Sequence, residues 1–97
     1  MFVVSLTYKT ELTEVDKHID DHVKYLEKYY DLNKFITSGR KVPRTGGVIL
    51  VNVSNRAELN EIIKEDPFHI ADVADYDITE FVPTMASKEF STLTKCI

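Results

Sequence analysis

The chain has 97 residues, 43% of them hydrophobic and 29% charged, which suits one domain with a modest core rather than two. A chain of this size buries only about two thirds of the surface its unfolded form exposes, so a second copy would add useful apolar burial. Twelve Lys and Arg against sixteen Asp and Glu leave a net charge of -4, which argues against nonspecific binding to nucleic acid or to an anionic membrane.

Residues 1–9 carry no basic leader, and their apolar run is too short for a signal peptide or a membrane span, so the protein reads as cytoplasmic with no membrane partner. Residues 2–8 are dense in β-formers, with Phe2, Val3, Val4 and Leu6 nearly continuous, and predict a strand covered on both faces. Residues 13–30 predict one helix. Thr13 and Asp16 approximate a capping box at its start, and Asp31 and Asn33 mark its exit. At about 100 degrees per residue, Val15, Ile19, Leu26 and Tyr29 share one side, and His22 sits inside that apolar stripe.

Residues 35–38 form a short apolar segment ended by Gly39, and residues 39–47 read as a loop carrying Arg40, Lys41 and Arg44. Residues 47–53 are too uniformly aliphatic for a strand with one wet face, so this strand should be central and covered on both sides. Ser54 or Asn55 can cap a helix through Lys64, Asn55 and Glu58 having capping-box spacing. Asp66, ahead of Pro67, is pushed out of the helical region, and residues 67–72 allow one further turn. Residues 76–82 predict the last strand, ended by Pro83.

The order β, α, β, β, α, β predicts an α+β, ferredoxin-like antiparallel sheet with both helices on one face, and a homodimer made through the other. Residues 1–83 form the domain. Residues 84–97, with Phe90, Leu93 and Ile97 in a polar background, are expected to pack as an edge strand or short helix on the domain or the dimer partner. Cys96 reads as a free thiol on the tail.

An imidazole among apolar neighbours needs partners for its nitrogens, and a carboxylate on one fixes the tautomer and leaves the other for a substrate. His22 with Asp66 is the leading pair. Asp66 also has a plain structural explanation, because Asp-Pro is a good helix cap followed by proline at the first helical position. The glycine-flanked cations Arg40, Lys41 and Arg44 could hold a carboxylate or phenolate, although the spacing is not that of a phosphate loop. His18 and His22, four apart, with Asp21, His69 or Asp72, sketch a metal site, but the reading favours no metal and no cofactor. Tyr25, Tyr29 and Tyr30 suit packing against the sheet or a partner. An RNA-binding sheet would carry basic and aromatic residues in its central strand, and residues 47–53 are aliphatic and uncharged.

Four blocks, Asp21-His22-Val23-Lys24-Tyr25-Leu26, Ile36-Thr37-Ser38-Gly39, Gly46-Gly47-Val48-Ile49 and Glu65-Asp66-Pro67-Phe68, taken in this order resemble the YciI-related (YCII) family over residues 1–83. The resemblance implies a dimeric ferredoxin-like α+β barrel with a His-Asp dyad, His22 and Asp66, surrounded by substrate-binding Ser38, Gly39, Arg40, Gly47, Pro67 and Phe68. It departs from the family pattern at Arg40, where many members have proline, and at Asp72, where many have glycine. The function it implies is a small lyase, isomerase or hydrolase moving a proton on a small organic ligand, anionic if Arg40 contacts it. The alternative is a noncatalytic dimeric module that binds a metabolite or another protein.

Overall fold

The computed structural model describes residues 1–95, so Cys96 and Ile97 lie outside the described residues. Strand β1 (Phe2–Tyr8) is followed by helices α1 (Leu12–Asp16) and α2 (Ile19–Asp31), strands β2 (Phe35–Arg40) and β3 (Gly46–Val51), helices α3 (Arg56–Lys64) and α4 (Pro67–Ile70), and strand β4 (Ala74–Glu80). A 3-10 segment, Lys88–Lys95, ends the described chain. The four strands make an antiparallel sheet in the order β2-β3-β1-β4, and the helices lie on one face of it in the ferredoxin-like arrangement.

Alternation along β1 decides which face holds the core. Phe2, Val4 and Leu6 point to the helices and meet Val15, Tyr25, Tyr29, Leu59, Ile62 and Phe68. Val51 and Ile49 pair with Phe2 and Val4 on that face. The opposite face carries Val3, Ser5, Val48 and Leu50, none of which is fully buried among the described residues; Val48 is 38% exposed. The two strands are therefore central as expected, but the described residues bury one face only.

The single helix expected over residues 13–30 is broken. His18 leaves helical geometry at φ −112 and ψ 2, and its N–H reaches Val15 rather than the residue four back. The break separates fully buried Val15 in α1 from the stripe in α2, and both pieces contribute side chains to the core. Thr13 does not cap, because Glu11 occupies the cap position and makes no side-chain bond. Asn55 does cap α3, accepting from the Glu58 N–H at 2.9 Å.

Residues 39–47 are not one loop, since β2 runs through Arg40 and β3 begins at Gly46. Gly46 is needed for close approach of two strands rather than of a ligand: a Cβ there would lie 1.8 Å from the Leu6 carbonyl oxygen. Strand β4 starts two residues earlier than expected and ends before Pro83. In the tail, the described segment is the short helix of the two options, and none of its residues is buried.

Candidate functional site

Helix α2 places the histidine, and three side chains on the same face tie that helix to residues 62–66. The Tyr25 hydroxyl donates to the Ile62 carbonyl at 3.0 Å, the Tyr29 hydroxyl to Glu65 Oε2 at 2.6 Å, and the Lys28 ammonium to Glu65 Oε1 at 2.7 Å. One turn toward the N-terminus, the same face delivers His22, whose Nδ1 lies 2.7 Å from Asp66 Oδ1. Those ties fix α2 in rotation and in height against the α3–α4 junction, which sets the pair's geometry.

Asp66 is fully buried and caps α4. Its Oδ1 accepts from the Phe68 N–H at 3.0 Å as well as facing His22, and its Oδ2 accepts from the Tyr76 hydroxyl at 2.6 Å. One oxygen of Asp66 thus serves both the helix cap and the contact with the imidazole. Three donors converging on a buried carboxylate make up for much of the hydration it has lost. With the carboxylate at Nδ1, a neutral ring carries its proton there, and Nε2 keeps its lone pair. Nε2 makes no hydrogen bond among the described residues.

The ring lies flat on Phe68, with centroids 3.9 Å apart and planes 7° from parallel, and it forms part of the wall of a cavity of about 260 Å³. Ser38, Gly39, Arg40, Gly47 and Phe68, expected around the dyad, also line it. Pro67 does not; it is the first residue of α4, fixed there by its own φ. Leu6, Ile19, Leu26 and Ile49 make much of the remaining wall apolar.

Register delivers the polar part of that wall. Phe35 pairs with Val51, but Thr37 pairs with Leu50, so β2 slips by one residue at Ile36. The slip turns Ser38 and Arg40 to the helix side, opposite Ile49 and Gly47. Ser38 then meets the Tyr30 hydroxyl in a short hydrogen bond. Of the three cations in this region, Lys41 donates to Thr7 and Arg44 to Asp16, whereas the Arg40 side chain makes no hydrogen bond or ion pair among the described residues.

Tyr76, expected from the sequence only as the first residue of the last strand, is the further side chain that contacts Asp66. Burial, then the Asp66 charge, pushes its phenol far above the ordinary value of 10.0, so at neutral pH it stays a donor. Burial does the same to Tyr25. The signal available was alternation in β4: a tyrosine on the core face must find a partner for its hydroxyl. The tyrosines of α2 pack as expected, on Phe35, with centroid distances of 5.7, 5.2 and 6.1 Å for Tyr25, Tyr29 and Tyr30.

His18 occupies the cap position of α2 without a side-chain bond to the helix, and His69 stands exposed in α4. Among the described residues no three His, Cys, Asp or Glu side chains are grouped to hold a metal ion.

The family model described as a YCII-related domain matches residues 1–82. Among curated proteins none matches this chain. Among solved structures, the chain is similar to a 5-chloro-2-hydroxyhydroquinone dehydrochlorinase from Burkholderia phenoliruptrix, determined in complex with 2,5-dihydroxybenzoquinone. The TM-score is 0.72 at 16% identity, over 82% of this chain and 91% of that one, which is a likeness of fold. No helix among the described residues is long and apolar enough to cross a membrane.

Proposed function

This chain belongs to the YCII-related domain family, and on that premise we propose that it is a small enzyme in which His22 moves a proton on a small organic substrate held in the 260 Å³ cavity. The observation that carries this reading is the pairing of His22 Nδ1 with buried Asp66 at 2.7 Å, while the other ring nitrogen has no partner among the described residues and lies in the wall of a cavity. Nε2 takes a proton from a C–H or O–H of the substrate. Asp66 holds the ring in that tautomer and stabilises the imidazolium that forms. The electron pair left on the substrate either expels a leaving group, Nε2 then giving its proton to that group or to water, or shifts along the substrate, Nε2 then returning the proton to another of its atoms, which describes a lyase or an isomerase.

Ser38 and Arg40, whose side chain has no partner among the described residues, would meet an anionic group of the substrate, with Gly39, Gly47 and Phe68 shaping the slot. The dehydrochlorinase of like fold was captured with a dihydroxybenzoquinone, a compact oxygen-rich ring, and a ligand of that size suits this cavity. Two copies pair through the sheet face bearing Val3, Val48 and Leu50, and the exposed Met85 and Phe90 of the extension after residue 83 reach the partner. A sedimentation mass of one chain at micromolar concentration overturns the pairing.

The test of the chemistry is proton exchange. Small hydroxyquinones and enolisable carboxylates are incubated in deuterated solvent with the protein and with His22→Ala, and deuterium incorporation is read by mass spectrometry. The expected loss in the variant is about 10²- to 10⁴-fold on any compound that the parent exchanges. Retention within a factor of a few removes His22 from the reaction. It would leave the competing reading, a ligand-binding module in which Asp66 is a helix cap and His22 its structural partner.

A further inference from the structure

Asp66 presents two oxygens, and they are served unequally. Oδ1 faces two donors, the Phe68 N–H and His22, while Oδ2 has one, the Tyr76 hydroxyl at 2.6 Å. The β1–β4 register pairs Tyr76 with Leu6 and so turns the phenol to the helix side, beneath α4. Tyr76 does not line the cavity that holds His22. It lines a separate groove between α3 and β4, beside His69, whose ring centre is 5.5 Å away. Asp66 therefore stands between the two, with the imidazole on one side and the phenol on the other.

We infer that Tyr76 is a positioning residue which, through Oδ2 of Asp66, keeps that carboxylate ionised and in plane and thereby holds His22 with its proton on Nδ1 and its lone pair on Nε2. The inference rests on the dyad reading above and adds the residue that sets its proton arrangement.

The physical argument concerns what a buried carboxylate does when it loses a donor. Asp66 is 0% exposed, so no water replaces the phenol at Oδ2 without rearrangement. The least costly relief is for the pair to take up one proton from solvent. Asp66 then carries a proton and donates it to Nδ1, and the ring's own proton resides on Nε2. The pair is neutral, the hydrogen bond to Nδ1 persists with its direction reversed, and the cavity-facing nitrogen no longer has a lone pair. Tyr76, whose phenol burial holds firmly protonated, blocks this state by keeping a donor on Oδ2.

The experiment is a long-range nitrogen–proton NMR measurement of the His22 ring in the full chain and in Tyr76→Phe, with His18 as internal reference. In the parent the neutral ring should be in the Nδ1–H form. In Tyr76→Phe the ratio of Nδ1–H to Nε2–H forms should fall by about tenfold or more, the scale of one buried hydrogen bond. An unchanged ratio, with or without a lower melting temperature, overturns the inference, because a merely structural phenol would alter stability alone. Should Tyr76→Phe fail to fold, 3-fluorotyrosine placed at position 76 keeps ring and hydroxyl while making the hydroxyl a stronger donor. The His22 Nδ1 resonance must then move, and a stationary resonance overturns the inference equally. The readout is independent of turnover, so a shifted tautomer together with an active His22→Ala would leave the positioning intact and remove only the proposed reaction.

Discussion

His22 and Phe68 are stacked face to face, 3.9 Å between ring centroids, and Phe68 is also the residue whose N–H caps onto the carboxylate that His22 meets. One residue thus supplies the platform under the imidazole and part of the charge balance of its partner. Tyr8 packs edge-on against the same phenyl ring at 5.9 Å, so the platform is itself held from below by β1.

Phe68 is 2% exposed, and Phe68→Leu keeps most of its apolar volume while removing the flat surface. Its expected stability loss is below about 1.5 kcal/mol, against about 3–5 kcal/mol for Phe68→Ala. The His22 ring protons should lie upfield in the parent because of the phenyl ring current and return toward ordinary positions in Phe68→Leu. Urea midpoints and the proton spectrum check this; unmoved ring protons would show that the stack is not maintained in solution.

The glycines of β2 and β3 should respond oppositely. A methyl group on Gly46 would stand 1.8 Å from the Leu6 carbonyl oxygen and can only be admitted by parting β1 from β3. Gly46→Ala is expected to cost at least about 3 kcal/mol, the upper end for overpacking, because the obstacle is backbone. Nothing lies within 4 Å of a methyl group on Gly39, so Gly39→Ala should melt within a degree or two of the parent. Equal melting temperatures for the two variants would refute the close approach.

Alkaline stability carries a signature of the buried phenols. The Tyr25 and Tyr76 hydroxyls are raised by burial from the ordinary 10.0, so the folded chain keeps protons that the unfolded chain releases. Their contribution is complete below about pH 10 and is lost as pH rises above it, with a slope of up to about 1.4 kcal/mol per pH unit for each phenol. Tyr25→Phe loses about 1 kcal/mol at neutral pH, having no donor for the Ile62 carbonyl, but its decline above pH 10 should be shallower. Urea unfolding at several alkaline pH values measures both, and parallel curves for parent and variant would contradict the assignment.

Much of the site was legible because it is local. The apolar stripe of α2 announces that His22 faces inward, and Asp66 before Pro67 announces a cap. The meeting of these two across 44 residues, expected from the order of four short blocks, is where the chain places them. Tyr76 escaped notice since its partner is chosen by strand register, which a linear pattern does not encode.

By itself the sequence determined the element types, the central position of β1 and β3, and the inward histidine, all of which follow from spacing of apolar residues along one segment. Tertiary structure decided the helix break at His18, the phenol under Asp66 and the register that brings Ser38 and Arg40 to the helix side. The last is the clearest case. Alternation counted from Phe35 would send Ser38 and Arg40 to the opposite sheet face, and a one-residue slip at Ile36, fixed by pairing with β3, brings both to the helix side. A strand's faces exchange with each residue of register, and register is set by the neighbouring strand rather than by the segment that obeys it.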